Sequence, residues 1–101
     1  MKEHKIIVSR QFNDGRAVPL DWFEDFETKL VAEFQGFTRI DGKGGYKMKD
    51  GTTKFEPVFI YTVAGHLMDC DGPLKRLGAW AKFSLYQESI YIVLDNQVMF
   101  V

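Results

Sequence analysis

Residues 53–63 read T-K-F-E-P-V-F-I-Y-T-V and form a long run of aromatic and β-branched residues. Such residues favour β-strands, because their side chains pack well on a pleated surface. Successive side chains of a strand point to opposite faces, which divides the run into two sets. One set is Phe55, Phe59, Tyr61 and Val63, and the other contains Val58 and Ile60. Both faces of the predicted strand are therefore apolar.

The residues before this strand predict its hairpin partner. Asp50 and Gly51 are a turn signal, and the segment from Phe37 to Lys49 has an extended pattern. Three glycines interrupt that segment, at positions 42, 44 and 45. Glycine inside a strand is typical of a bulge, so we expect an irregular second strand that carries one.

The N-terminal third predicts one strand and one helix. Lys5 to Arg10 contains a β-branched run and precedes a turn. Pro19 suits a first helical turn, and apolar residues then recur at helical spacing. They are Leu20, Phe23, Phe26, Leu30, Val31 and Phe34. We expect a helix from Pro19 to Phe34 that ends before Gly36, since glycine is a common helix stop.

The C-terminal third predicts a second helix and two short strands. Asp71 is expected to cap the helix with Pro73 in its first turn, and the helix should end near Tyr86. Its apolar stripe is Leu74, Leu77, Ala81 and Leu85, with Trp80 beside it. The strands are expected at Ile90–Leu94 and Gln97–Val101, joined by a tight turn at Asp95 and Asn96.

The resulting order of elements is βαββαβ with one added strand. Right-handed crossovers would place both helices on one face of an antiparallel sheet. We therefore predict an α+β fold of the ferredoxin-like type with an extra C-terminal β-strand. At 101 residues, with 46% hydrophobic residues, residues 1–101 are expected to form a single domain.

The second face of the sheet is left without helices in this arrangement. In the fourth strand Ile92 and Leu94 oppose Tyr91 and Val93, so this strand too is apolar on both sides. A sheet with one solvated face would alternate apolar and polar residues. We therefore expect another copy of the chain to cover the second face, which makes the protein a homo-oligomer.

Charge and cysteine content narrow the classes of partner. The formal net charge of −1 disfavours a general binder of nucleic acids or anionic membranes, so a small-molecule partner is expected. Cys70 is the sole cysteine, which excludes an internal disulfide and fits a reducing compartment. The sequence contains no long apolar run and no signal-peptide core, so a cytoplasmic location is expected.

Two glutamates near predicted strand ends are candidate functional residues. Glu56 lies between Phe55 and Pro57 at the start of the apolar run, where an unpartnered desolvated carboxylate would be unfavourable. Glu88 lies between the second helix and the fourth strand. Together they are candidates for a cation pocket or an acid/base pair. The alternatives are an edge-strand charge that prevents aggregation for Glu56, and a solvated loop residue for Glu88.

The glycine-rich segment from Asp41 to Tyr46 is a third candidate. Glycines let a backbone approach a ligand closely, and Tyr46 offers a π face and a hydroxyl. No helix follows, so the segment is neither a P-loop nor a dinucleotide fingerprint, and a plain β-bulge is the alternative. His66, Asp69, Cys70 and Asp71 match no metal motif, and no cofactor is expected.

Several of these residues together carry a resemblance to known families. They are Gly36, Phe37, Thr38, Asp41, Gly42, Gly45, Tyr46, Glu56, Phe83 and the segment Gln87–Ile90. Across residues 36–94 the pattern resembles the phage-encoded S-adenosylmethionine lyases, formerly called hydrolases. It also resembles a group of small bacterial domains that share a glycine-rich strand, a glutamate on the next strand and a Q-E-S segment.

The resemblance to the lyases implies a specific site and reaction. It implies a homotrimer that binds S-adenosylmethionine between subunits through Tyr46, Glu56 and Glu88, and produces methylthioadenosine and homoserine lactone. One alternative is a non-catalytic oligomeric module that binds a small cationic or nucleoside ligand. Another is an enzyme of the dimeric α/β-barrel type, such as a small monooxygenase.

Overall fold

The computed structural model describes all residues, 1–101, and contains five strands and two helices. In chain order they are β1 (Lys2–Ser9), α1 (Leu20–Phe34), β2 (Thr38–Lys47), β3 (Thr53–Gly65), α2 (Leu67–Ser84), β4 (Tyr91–Leu94) and β5 (Gln97–Phe100). The strands form one antiparallel sheet in the order β2-β3-β1-β4-β5. This confirms the predicted α+β, ferredoxin-like arrangement with an added strand.

The hydrophobic core lies between the helices and one face of the sheet, the covered face. In the centre of that face Ile6 is paired with Tyr61 on one side and with Ile92 on the other, and all three are fully buried. Phe26 of α1 packs edge-on against Tyr61 at 5.1 Å between ring centroids. The two helices therefore stabilise the sheet by burying alternate residues of its three central strands.

A cluster of polar side chains lies at the edge of the core near β2. The Tyr61 hydroxyl donates a hydrogen bond of 2.7 Å to Oε2 of Glu27, and Arg39 Nη1 donates to the same oxygen at 2.7 Å. Burial, and then the Glu27 carboxylate, raise the pKa of Tyr61 above its ordinary value. The carboxylate of Glu27 thus has both a hydroxyl donor and a cation.

The two helices differ from prediction at their ends. Pro19 precedes α1, and the left-handed residue at its C-terminus is Gln35, at φ 70°, instead of Gly36. Asp71 does not cap α2, which begins earlier at Leu67, so that Asp71 lies inside the helix and pairs with Lys75 at 3.0 Å. Pro73 is likewise interior, where it has no backbone N–H to donate and its ring crowds the carbonyl of Asp69.

The predicted bulge in β2 is wrong. The register between β2 and β3 is continuous from Thr38 opposite Thr62 to Lys47 opposite Thr53. The glycines make room for neighbouring side chains: a Cβ on Gly42 would lie 3.0 Å from Ile60 and one on Gly45 would lie 3.2 Å from Phe55. Close packing across the hairpin, instead of an extra residue, explains the glycine content.

The other face of the sheet, which we call the open face, carries no helix. Ile7 occupies its centre, paired with Ile60 of β3 and Tyr91 of β4, and all three are only partly buried. Farther out, Ile40 is 56% exposed and Phe100 is 65% exposed. The open face is therefore apolar, as predicted, and uncovered within one chain. Neither helix is both long and apolar enough to cross a membrane.

Candidate functional site

Glu56 lies on the open face, near the end of the sheet where β1 finishes. Its Oε2 accepts a hydrogen bond of 3.0 Å from the hydroxyl of Ser9, the last residue of β1. No lysine, arginine or histidine nitrogen forms an ion pair with it. The cationic partner that the sequence led us to consider is thus replaced within the chain by a hydroxyl. The negative charge of Glu56 is not neutralised.

Tyr46 of β2 reaches the same place from the adjacent strand. Its phenol lies beside the Glu56 carboxylate. Burial, and then the neighbouring Glu56 carboxylate, together raise the pKa of Tyr46 from 10.0 to about 12. The phenol is therefore protonated at neutral pH and available as a donor.

Gly44 allows the tyrosine to adopt this position. It is paired directly with Glu56 across the hairpin. A Cβ on Gly44 would lie only 2.9 Å from the hydroxyl oxygen of Tyr46. Real Cβ atoms do not approach so closely, so the tyrosine ring lies over Gly44 because no side chain is there. The glycine that was predicted to approach a ligand instead accommodates a protein side chain.

Ser9 is a site residue that sequence reasoning missed. Its hydroxyl is 2.8 Å from the Gln11 carbonyl oxygen and accepts a bond of 3.1 Å from the Gln11 backbone N–H. These contacts hold the hydroxyl beside Glu56. The only sequence signal was a polar residue at the end of an apolar strand, which does not distinguish a site from a solvated end.

Glu88 lies in the segment between α2 and β4. Its side chain is exposed and forms no hydrogen bond or ion pair within the chain. Tyr91 is paired with Ile7, so the residues before Tyr91 run alongside the C-terminal end of β1. Glu88 and Glu56 are thus at the same end of the sheet, on opposite sides of β1. Nothing within one chain brings the two carboxylates into contact.

The neighbouring residue Gln87 has an unusual environment. Its side-chain Nε2 is buried and has no hydrogen-bond partner. An unsatisfied buried donor costs roughly 1–3 kcal/mol, so it is uncommon in a folded chain. The segment that contains Glu88 therefore satisfies its hydrogen-bonding groups less completely than the strand that contains Glu56.

Two cavities of the chain lie elsewhere. One of about 860 Å³ is at the opposite end of the sheet, between Glu3, Glu33, Phe37 and His66. A second of about 490 Å³ lies by the start of α1, between Arg10, Val18 and Phe23. Neither includes Tyr46, Glu56 or Glu88. The predicted site is therefore a patch on a sheet face that lies outside both cavities.

Cys70 is unsuited to nucleophilic chemistry in this structure. The thiol is buried at 3% exposure, and burial raises its pKa, with Asp69 adding to the effect. A protonated buried thiol is a poor nucleophile.

The geometry defines what the patch can bind. It combines an un-neutralised carboxylate, a protonated phenol and apolar side chains from the centre of the open face. A carboxylate favours a cation, and a phenol donor favours an anionic or carbonyl oxygen. A ligand that carries both charges a few atoms apart, such as an amino acid group, suits this pair.

Comparison with known proteins identifies the same fold in solved structures. No family model matches the sequence, and no curated protein sequence matches it either. A phage SAM lyase in complex with S-methyl-5′-thioadenosine superposes with a TM-score of 0.77 at 15% identity, over 98% of this chain and 87% of that one. A phage SAM lyase in the apo state gives 0.75 at 15% identity, over 98% and 86%. The chain therefore has the fold of these phage SAM lyases.

Proposed function

We propose that the protein is an S-adenosylmethionine lyase of the phage type, which converts S-adenosylmethionine to methylthioadenosine and homoserine lactone. The observation that carries the proposal is the un-neutralised Glu56 beside the protonated Tyr46 on an uncovered apolar face. The fold shared with phage SAM lyases supports it. The sequence resemblance, which involves both residues, supports it independently of the backbone comparison.

The reaction is an intramolecular displacement that needs no protein nucleophile. A carboxylate oxygen of the substrate's methionine part attacks its own γ carbon and forms the ring C–O bond. The bond between that carbon and sulfur breaks, and its electron pair remains on sulfur as the neutral thioether of methylthioadenosine. No proton is gained or lost. Holding a flexible chain in this folded shape can contribute up to roughly 7–11 kcal/mol to lowering the barrier.

The direction of charge movement limits what the glutamates do. The sulfonium loses its positive charge as the carbon–sulfur bond breaks. A carboxylate beside the sulfur would stabilise the substrate more than the transition state and would slow the reaction. We therefore assign Glu56 and Glu88 to the α-ammonium group, whose charge does not change. Tyr46 then donates a hydrogen bond to the carboxylate end and orients it.

The proposed site is completed by a second copy of the chain. The open face exposes apolar side chains that another copy would bury, and Glu88 has no partner in its own chain. In this arrangement one protomer contributes Glu56 and Tyr46, and its neighbour contributes Glu88. Closure of the apolar surfaces excludes water, which would otherwise shield the attacking carboxylate. A homotrimer is the assembly that the resemblance implies.

A chromatographic assay tests the proposal. Purified protein is incubated with S-adenosylmethionine, and methylthioadenosine is measured over time. We expect kcat/KM to fall by at least about a hundredfold in Glu56→Gln, chiefly through a higher KM, because the ammonium then loses a charged partner in a site shielded from water. Glu3→Gln is the matched control, since Glu3 is an exposed glutamate at the start of β1 with no ion pair.

Two results would contradict this function. One is the absence of methylthioadenosine from a correctly folded, assembled protein. The other is an equal kcat/KM in Glu56→Gln and Glu3→Gln. Calorimetry with S-adenosylmethionine distinguishes the alternative: binding that depends on Glu56 without turnover would identify a non-catalytic module for cationic ligands.

A further inference from the structure

The hairpin formed by β2 and β3 extends beyond the helices. We call its outer part, residues 42–56, the arm. None of the ten residues of β2 is buried, and β3 is the only strand paired with it. The arm exposes Tyr46, Met48 and Phe55 at 47%, 43% and 60%. An isolated two-stranded hairpin is marginally stable in water, so a surface of this kind is suited to contact with a partner.

The arm is basic, whereas the whole chain is slightly acidic. It contains four lysines, at positions 43, 47, 49 and 54, and two acidic residues, Asp50 and Glu56. The Asp50 carboxylate is used within the turn, where it accepts hydrogen bonds from the Thr52 backbone and hydroxyl. None of the four lysines forms an ion pair within the chain. Their charges are available to a partner.

Helix α1 carries the opposite charge. It has five acidic residues and one lysine. Leu20, Asp21, Glu24 and Val31 lie on one side of the helix, and all four are exposed, which defines an acidic ridge with apolar residues at both ends. Neither Asp21 nor Glu24 forms an ion pair within the chain. The ridge borders Glu27. The carboxylate of Glu27 pairs with Arg39 of β2, so this side of the helix lies near the β2 edge of the sheet.

We propose that the arm of one protomer docks on the acidic ridge of a neighbouring copy. The arm's lysines would pair with Asp21 and Glu24, while Phe55, on the same face of the arm as Lys47, would pack against Leu20 or Val31. Both surfaces are exposed on the same chain, are opposite in charge and are not paired with each other within it. A contact between two different patches is head-to-tail, and such contacts close into rings when the rotation permits.

A second copy suits the arm better than a nucleic acid does. The net charge of the chain is −1, so a nucleic acid approaching the arm would meet repulsion from the acidic remainder of the molecule. A cationic partner that approached the acidic ridge would in turn meet repulsion from the basic arm. Docking between copies neutralises both surfaces at once, and it places the strand that bears Tyr46 at a boundary between protomers.

Charge reversal tests the contact directly. One variant combines Lys47→Glu with Lys49→Glu, and another combines Asp21→Lys with Glu24→Lys. Each should raise the dissociation constant for self-association by at least about tenfold, measured by sedimentation equilibrium. The quadruple variant, which carries all four changes, should restore association, because the reversed arm meets a reversed ridge. Raising the salt concentration to about 1 M, where screening acts within roughly 3 Å, should weaken the wild-type contact.

Matched controls and a second ligand keep the test decisive. Arg76→Glu on α2 and Glu33→Lys on the other side of α1 change exposed unpaired charges and should leave association unchanged. Circular dichroism checks that each variant is folded. The proposal is overturned if both double variants associate as the wild type does, or if the quadruple variant fails to recover. It is also overturned if a fluorescent oligonucleotide binds the arm while the dissociation constant for self-association does not depend on the arm's lysines.

Discussion

Each face of the sheet carries one tyrosine close to one glutamate, but only one of the two pairs includes a cation. On the covered face, Tyr61 donates to Glu27, and Arg39 neutralises the same carboxylate oxygen. On the open face, Tyr46 lies beside Glu56, which receives a bond from Ser9 but no cation. The first pair is complete within the chain, whereas the second lacks a positive charge.

The difference separates a structural pair from the pair that we propose to bind a ligand. Tyr61 is fully buried and contacts Phe26, Phe37 and Phe59, so its hydroxyl needs a partner for the core to be stable. Tyr46 is 47% exposed and is not needed for the core. An arginine on the open face would occupy the place that a cationic ligand requires. The absence of such an arginine therefore agrees with the proposed ammonium site.

The largest expected effect separates the two tyrosines by their contribution to stability. Tyr61→Ala should lower the free energy of unfolding by about 3–5 kcal/mol, because it leaves a cavity and removes a donor to Glu27. Tyr46→Ala should lower it by less than about 1 kcal/mol, since the residue is half exposed. Denaturant titration at neutral pH measures both. Equal losses would show that the two faces do not differ as described.

An intermediate effect concerns the pH at which Tyr46 ionises. Absorbance at 295 nm, taken as the difference between wild type and Tyr46→Phe, should show a transition near pH 12, compared with 10.0 for an unperturbed tyrosine. In Glu56→Gln the transition should move to lower pH, because the carboxylate charge no longer opposes the phenolate. An unchanged transition would mean that the two side chains are not neighbours.

The same pKa shift has a consequence for stability. The folded state keeps the Tyr46 proton more tightly than the unfolded chain, so the folded state binds more protons above pH 10. Stability contributed by this group is present below pH 10 and is lost as the pH rises from 10.0 to about 12. The raised pKa of Tyr61 also lowers the free energy of unfolding as the pH rises. Comparing the wild type with Tyr46→Phe isolates the contribution of Tyr46.

The smallest expected effect is that of Gly44→Ala. Alanine is favoured over glycine in a strand interior by roughly 0.5–1 kcal/mol, and the tyrosine ring can move aside, so the free energy of unfolding should change by less than about 1 kcal/mol. The displaced ring should nevertheless leave Glu56, and the ionisation of Tyr46 should move towards 10.0. Gly36→Ala is a suitable control, because no atom lies within 4 Å of a Cβ at that position.

The local parts of the fold were predictable from the order of residues. The run from Thr53 to Val63 lies within β3, the Asp95–Asn96 turn joins β4 and β5 with positive φ at both residues, and α1 covers the predicted span to within one residue. These features depend on side-chain alternation, helical spacing and turn preferences. Each acts over a few residues and is therefore readable along the chain.

The predictions failed where distant residues decide the outcome. The glycines of β2 indicated a bulge, but their neighbours across the hairpin, Val58, Ile60 and Phe55, explain them without one. Asp71 indicated a helix start, yet α2 begins four residues earlier at Leu67, and Asp71 pairs with Lys75 instead. Packing against the sheet outweighs a local capping preference of about 1 kcal/mol.

The sequence by itself determined that β3 and β4 have two apolar faces and that Glu56 stands at the start of such a strand, because side-chain alternation is a property of any extended chain. Only the tertiary structure decided which residues meet Glu56. Ser9 is 47 residues away along the chain, and Tyr46 reaches the carboxylate over a glycine on the paired strand. Those contacts depend on strand order and register, which the packing of the whole sheet against its two helices sets.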